Sequence, residues 1–329
     1  MGACSMLFSA FVVDMSVLFI AKVRLFRKFF VFLPIKMCFN AMMQPFKTYS
    51  LNLRGRLVTI DRPWVMGIIN VTPDSFYSGS RVNDEGLLTE RVRQMIADGA
   101  DVIDVGACST RPGSESVDAQ GEMARLEWAL AAIRREAPDV VVSVDTFRAY
   151  VARRCVEEWG ADIINDISGG TMDEAMFATV ASLRVPYVLM HMRGTPETMA
   201  GLTDYGNVTA EVLEWMARRI DQLRQLGVAD VIADPGFGFA KTLEQNYELL
   251  ARLNAFHALD APLLVGVSRK RMIYTPLHCT ADEALNGTTV VNTIALEQGA
   301  HILRVHDVKA AAQAVAITTL LRQNALNNR

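Results

Sequence analysis

Three observations predict a (β/α)8 TIM barrel with a short N-terminal β-hairpin and an atypical N-terminal extension. Eight apolar runs recur from Trp64 onward at about 30 residues apiece, the length of one strand–helix unit. The stretches between them carry apolar residues at helical spacing, several closed by a glycine just before the next run. The runs are nearly continuous in Val, Ile and Leu, as parallel strands buried on both faces are. A doubly wound open sheet is the alternative, because counting units does not establish closure.

In chain order, Tyr49 to Ile60 alternates around Arg54-Gly-Arg56, the signature of a hairpin. Strands are then expected at Trp64–Ile69, Val102–Val105, Val140–Val144, Asp162–Ile164, Tyr187–Met190, Val231–Ala233, Leu263–Val267 and His301–Val305. Met123, Leu126, Leu130 and Ile133 form one helical stripe, and Val212, Met216, Ile220 and Leu223 another, with Gly227 as its C-terminal cap. Gly99, Gly160 and Gly299 close other helices, and a helix begins near Leu243.

The chain has 329 residues, 51% of them apolar, and a formal net charge of −3. That suffices for a full core and lacks the basic excess of a nucleic-acid binder. The cysteines Cys4, Cys38, Cys108, Cys155 and Cys279 are scattered and form no Cys-x-x-Cys pair, so neither a disulfide framework nor a zinc site is indicated. A reducing cytoplasm is the expected compartment. Residues 1–43 read as an extension outside a barrel domain at 44–329. Met6 to Ala21 is apolar except for Asp14 and two serines, and Lys22, Arg24, Arg27 and Lys28 follow. That run is shorter than the roughly 20 residues of a membrane span, and its charges stand on the wrong side for a signal peptide. It is expected to be disordered, a weak anchor, or translated upstream sequence with the start at Met42 or Met43. No stable membrane association is expected.

Chemistry in a parallel barrel sits at the C-terminal ends of the strands. Those ends carry Asn70, Asp104 with Cys108-Ser-Thr-Arg-Pro112, Asp145, Asn165-Asp166, His191, Asp234, Ser268-Arg-Lys270 and His306-Asp307. Each alone has an ordinary explanation as a helix cap or a solvated turn. Together they describe a polar rim. Asp145, Asn165 and Asp234 match the donor-rich edge of a flat heterocycle, on which Arg304 is placed to lie. Arg111, Lys270, Arg304 and His306 supply positive charge and donors for a phosphate or pyrophosphate. Asn70 offers a neutral oxygen to a Mg²⁺ bound mostly by water and substrate phosphates. His191 reads as a hydrogen-bonded structural histidine.

The motifs Asn70-Val-Thr-Pro-Asp-Ser-Phe76, Ser109-Thr-Arg-Pro112, Ser143-Val-Asp-Thr146, Ile164-Asn-Asp-Ile167, Leu189-Met-His-Met192, Asp234-Pro-Gly-Phe-Gly-Phe239, Ser268-Arg-Lys270 and Arg304-Val-His-Asp-Val308 resemble, in order and spacing, those of the dihydropteroate synthase family. The resemblance spans Pro45 to about Leu321. It implies a pterin-binding TIM barrel that condenses 6-hydroxymethyl-7,8-dihydropterin pyrophosphate with p-aminobenzoate, giving 7,8-dihydropteroate and pyrophosphate for folate synthesis. By the family pattern Asp145, Asn165, Asp234, Lys270 and Arg304 hold the pterin. Asn70, Arg111, Arg304 and His306 meet the pyrophosphate, with Asn70 reaching its Mg²⁺. Thr110, Pro112, Phe239, Ser268 and Lys270 line the p-aminobenzoate side, where sulfonamides compete. Thr110, Arg111 and Lys270 are the catalytic candidates, the first two on a mobile loop that closes together with the loop of Asn70, with Gly79 and Gly113 near the two loops as hinge candidates. The family also implies a homodimer, to which 284–296 and 310–321 are apolar enough to contribute.

Three positions depart from the family pattern. Cys108 stands where a carboxylate is common, Ala240 replaces a glycine, and Arg271 follows Lys270 in place of a small hydroxyl residue. Two other readings stay open on this basis. One is a pterin-binding methyltransferase domain, which has no use for a pyrophosphate pocket. The other is a non-catalytic pterin-binding paralogue.

Overall fold

The computed structural model describes residues 46–71, 81–108 and 117–327, with backbone alone at 81–84 and 326–327. The extension at 1–43 lies outside these residues, as do Thr110, Arg111, Pro112, Gly79 and Gly113. Phe46–Leu321 group as one compact unit.

Strands β1 (Tyr49–Leu53) and β2 (Arg56–Ile60) pair antiparallel across Arg54-Gly55. Both turn residues have positive φ, 51° and 82°, the backbone twist that a two-residue hairpin loop prefers. The expected hairpin is therefore present. Eight further strands follow: β3 (Trp64–Asn70), β4 (Val102–Gly106), β5 (Val141–Asp145), β6 (Ile163–Asp166), β7 (Tyr187–Met190), β8 (Val231–Asp234), β9 (Leu264–Val265) and β10 (Ile302–Val305). Neighbours from β3 to β8 pair parallel in chain order, β10 pairs with both β3 and β9, and a parallel bridge Ala233↔Leu263 joins β8 to β9. The sheet closes on itself, which excludes the open doubly wound alternative.

β9 is shorter than the expected Leu263–Val267. Leu263 O already accepts both His301 N (2.8 Å) and Ile302 N (3.0 Å), and the chain turns away at Arg269, where φ is 54°. Several other strands run one or two residues further than expected, so Asn70, Asp145 and Asp234 are the last residues of their strands and Asn165 lies in the last pair of β6.

Side chains alternate along each strand, so every second residue enters the barrel. The lower inward set is apolar: Met66, Val102, Ile163, Val188, Ile232, Leu264 and Ile302 pack with Leu51, Leu53 and Ile60 of the hairpin. The hairpin thus plugs the barrel floor with side chains that water would otherwise reach. Outside, the strands' other faces pack on the helices in a second core. Both predicted stripes are buried, Met123, Leu126, Leu130 and Ile133 on helix Ala119–Glu136, and Val212, Met216, Ile220 and Leu223 on helix Val208–Gln225. Asp118 and Asn207 cap these helices by accepting Gly121 N and Ala210 N.

Candidate active site

Two residues above the apolar floor, the same alternation brings Asp104, Ser143, Asn165, Asp234 and Arg304 into the barrel, with Asn70 and Asp145 one pair higher. The predicted polar residues therefore share one interior, and they are wired together. Arg304 Nε donates to Asp104 Oδ2 (2.7 Å) and its Nη2 to Asp145 Oδ2 (2.6 Å). Asn165 Nδ2 donates to Asp104 at 3.2 Å and 3.4 Å to its two oxygens. Asp104 is fully buried, Asn165 nearly so. Burial raises the Asp145 carboxyl above its usual range, against the opposing pull of Arg304. Burial also works against the Arg304 charge, but Asp104 and Asp145 more than offset it. The guanidinium expected to lie on a flat ring is held in place by two carboxylates.

The Asp234–Lys241 loop forms the adjoining wall. Asp234 Oδ1 accepts Gly236 N (2.8 Å), and burial raises its carboxyl, opposed chiefly by Lys270. It does not cap the following helix. Thr242 does, in a reciprocal capping box with Gln245 at the start of Leu243–Ala251, which leaves Asp234 for another role. Lys270 Nζ donates to Phe237 O (2.6 Å) and lies 4.6 Å above the centre of the Phe239 ring. Burial lowers its amine to about 8, with Asp234 resisting. Ile167, Met190 and Met192 form a small apolar cluster with Phe147, Met172, Met199 and Phe239, a surface suited to a flat ring.

On the other side, Ser268 Oγ accepts His306 N (3.2 Å) and meets His306 Nδ1 at 3.2 Å. Arg269 donates to both oxygens of Asp307 at 2.8 Å and 3.0 Å. The Ser268-Arg-Lys270 turn is thereby clamped to the start of helix Val308–Asn327, whose free N–H groups suit an anion. Burial, with Arg304 adding to it, pushes the His306 imidazole down to about 4, so with no anion bound it is neutral near pH 7 and the group is a hydrogen-bond donor. Asn70 stands exposed at the end of β3.

The departures also find physical settings. Cys108 lies 3.5 Å from Arg148 Nη1, which also pairs with the buried Glu122, while Arg148 Nη2 donates to Val117 O (2.6 Å). Burial, with Glu122 beside it, raises the Cys108 thiol to about 11, so it is inert as a nucleophile. Ala240 does occupy a positive-φ position (49°), where a glycine would be unstrained. Arg271 is exposed.

Motif reading assigned no role to Asp104, which proves to join Asn165 to Arg304. The signal was present: a carboxylate inside the apolar run Val102–Val105, in register with Ser143. Asp166, its neighbour's companion at the strand end, serves structure by accepting Ser168 N, Gly170 N and Tyr187 Oη. His191 is buried, and its Nδ1 meets Lys241 Nζ at 3.1 Å, a pairing no motif suggested.

Residues 66–306 match the family of pterin binding enzymes. The chain is 43% identical to the dihydropteroate synthase of Synechocystis over 263 residues, covering 79% of this chain and 90% of that one. It is 42% identical to that of Escherichia coli K12 over 270 residues, covering 82% and 95%. Among solved structures, a Yersinia pestis dihydropteroate synthase in complex with a sulfonamide drug superposes with a TM-score of 0.76 at 36% identity, covering 84% of this chain and all of that one. The Xanthomonas albilineans enzyme with 4-aminobenzoic acid gives 0.75 at 35% identity, covering 84% and 99%. Carboxylates, amide and cations gathered above a plugged barrel floor thus coincide with close sequence kinship, and the chain belongs to the dihydropteroate synthases, within the pterin binding enzymes.

Proposed function

We propose that the barrel mouth joins 6-hydroxymethyl-7,8-dihydropterin pyrophosphate to p-aminobenzoate, releasing pyrophosphate, with the residue roles given below. The observation that carries this reading is the shared interior of Asp104, Asp145, Asn165, Asp234, Arg304 and Lys270. Asp145, Asn165 and Asp234 present acceptors to the amino and ring N–H groups of the pterin, while Lys270 and Arg304 border the ring. Three carboxyl groups gather around the two cations low in the site, so the diphosphate belongs higher. There it meets the outer faces of Lys270 and Arg304, a donor from His306, and Arg111.

The aryl amine of p-aminobenzoate is neutral at pH 7. It attacks the methylene carbon as the C–O bond to the diphosphate breaks, and the proton it loses leaves with water or diphosphate. Positioning and cations near the departing charge then carry most of the acceleration, without a strong general base. Phe239, Ser268, Thr110 and Pro112 line the p-aminobenzoate side, and Thr110 with Arg111 acts during turnover.

Mg²⁺ fits the donor set at one point: Asn70 supplies a neutral amide oxygen at the rim, suited to an ion that keeps water and phosphate as its other ligands. Among the described residues no group of three His, Cys, Asp or Glu side chains is placed to hold a metal by itself, which leaves the substrate as the main ligand. When bound, the ion would neutralise diphosphate charge. A homodimer is the proposed assembly. Val290 and Ile294 on helix Leu285–Glu297, and Ile317, Leu320 and Leu321 on helix Val308–Asn327, are exposed large apolar residues that a partner copy would cover. The free thiols Cys108, Cys155 and Cys279 suit a cytoplasmic setting, and no described helix is long and apolar enough to cross a membrane.

The deciding experiment incubates purified protein with the pterin pyrophosphate, p-aminobenzoate and Mg²⁺, and follows dihydropteroate. Folded protein that forms none would overturn the reading.

A further inference from the structure

We infer that Lys241, with His191 as its acceptor, is a positioning residue for the p-aminobenzoate side of the site, an inference that rests on the function proposed above. Lysine is seldom this buried, and here the side chain is spent on the loop that precedes it and on the end of β7. Its Nζ donates to Gly236 O (2.9 Å) and Phe239 O (2.9 Å) and meets His191 Nδ1 (3.1 Å). Those three partners exhaust the donors of an ammonium group.

Other polar groups of the loop are tied down as well. Asp234 takes Gly236 N, Asn246 Oδ1 takes Gly238 N (2.6 Å), and Lys270 takes Phe237 O. Two lysines therefore divide the loop carbonyls between them. Lys270 reaches one carbonyl from beside the Phe239 ring, and Lys241 holds the carbonyls on either side of it. Phe239 owes its place under Lys270 to that second grip.

The loop is also pressed against the end of β7. A Cβ on Gly236 (φ 73°) would stand 2.0 Å from His191 O. The His191 ring packs edge-on against Trp215 with centroids 5.0 Å apart, which fixes Nδ1 toward Lys241. Ala240, immediately before Lys241, sits at positive φ, and such strain persists only where neighbouring contacts over-determine it. The charged groups facing Lys241 are Asp234, Lys270 and Arg193, with His191 in contact. Burial lowers the Lys241 amine to about 7 and the His191 imidazole to about 2, so His191 is neutral and able to accept from the ammonium.

A lysine that merely fills space would lower stability when replaced and leave the substrate constants of the folded fraction alone. The test therefore measures the KM for p-aminobenzoate, the Kd for the pterin pyrophosphate and the melting temperature of the full chain. Lys241→Met and His191→Leu are expected to raise the p-aminobenzoate KM about tenfold, with the pterin Kd moving less than about threefold. His191→Asn, whose amide oxygen can replace Nδ1 as acceptor, is expected to stay within about threefold of wild type in KM. A lower melting temperature with unmoved KM in Lys241→Met overturns the inference. If Lys241→Met does not fold, equal KM values for His191→Leu and His191→Asn overturn it. Wild-type protein without product would instead overturn the proposed function, so the two failures are distinguishable.

Discussion

Replacing Asp234 by Asn separates ligand recognition from folding more cleanly than any other change in the barrel. The carboxylate is 6% exposed, and its Oδ1 accepts Gly236 N at 2.8 Å. An amide oxygen keeps that bond, and neutralising a group whose carboxyl is already raised by burial removes a desolvation cost. Folding stability should therefore change by no more than about 1 kcal/mol. A bound pterin would meet a mixed amide where it expects an acceptor, and an N–H group on its edge would face another N–H. Losing a charge-assisted hydrogen bond costs about 1.5–3 kcal/mol, or about 10- to 100-fold in affinity. Calorimetry with the pterin pyrophosphate reads the affinity, and thermal unfolding reads the stability. Unchanged affinity would refute the assignment of Asp234 to the pterin. Affinity and stability falling together would make it a scaffold residue.

Asp104→Asn should lower stability by about 2 kcal/mol and weaken pterin binding, because Arg304 keeps Asp145 but loses the negative charge across its 2.7 Å bond; denaturant unfolding and calorimetry check both. Gly236→Ala should cost more than about 3 kcal/mol, since its Cβ would collide with a backbone oxygen, and soluble expression with an unchanged melting temperature would contradict this. Acid should destabilise the protein through His306. Its folded pKa, about 4, lies below the unfolded value of 6.5, so the unfolded chain takes up the proton first; stability is full above 6.5 and falls toward 4, by about 3 kcal/mol, and His306→Gln should flatten that part of the unfolding–pH curve. With the Lys270 amine lowered to about 8, kcat/KM should decline above that pH at up to about tenfold per unit as the cation is lost, and a flat profile from 7 to 9 would count against its role.

The units of the barrel were legible because strand and helix write different periods into the chain. The stripe Met123–Ile133 and the runs at 64–69 and 187–190 appear in the structure where expected. Strand ends and partners were less so. A strand buried on both faces reads as a plain apolar run, so nothing in 102–105 told which way Asp104 points, and only the register with Ser143 and the hydrogen bond from Asn165 reveal it. His191 and Lys241 are 50 residues apart, and their contact depends on how the ends of β7 and β8 abut, which no local pattern encodes. The protonation of His306 is likewise not written in its residue type, because burial beside Arg304 decides it.

The hairpin beneath the strands has a kinetic corollary. With Leu51, Leu53 and Ile60 stoppering the lower end, the described barrel is a cup, and reactants and products share its single doorway. On the roles proposed above, a bicyclic ring seated on Asp234 and Asn165 would lie below whatever arrives next, so it would enter first and its conjugate would leave after the shallower diphosphate. The order of arrivals and departures would then follow from a strand pair at the opposite end of the barrel from the polar residues.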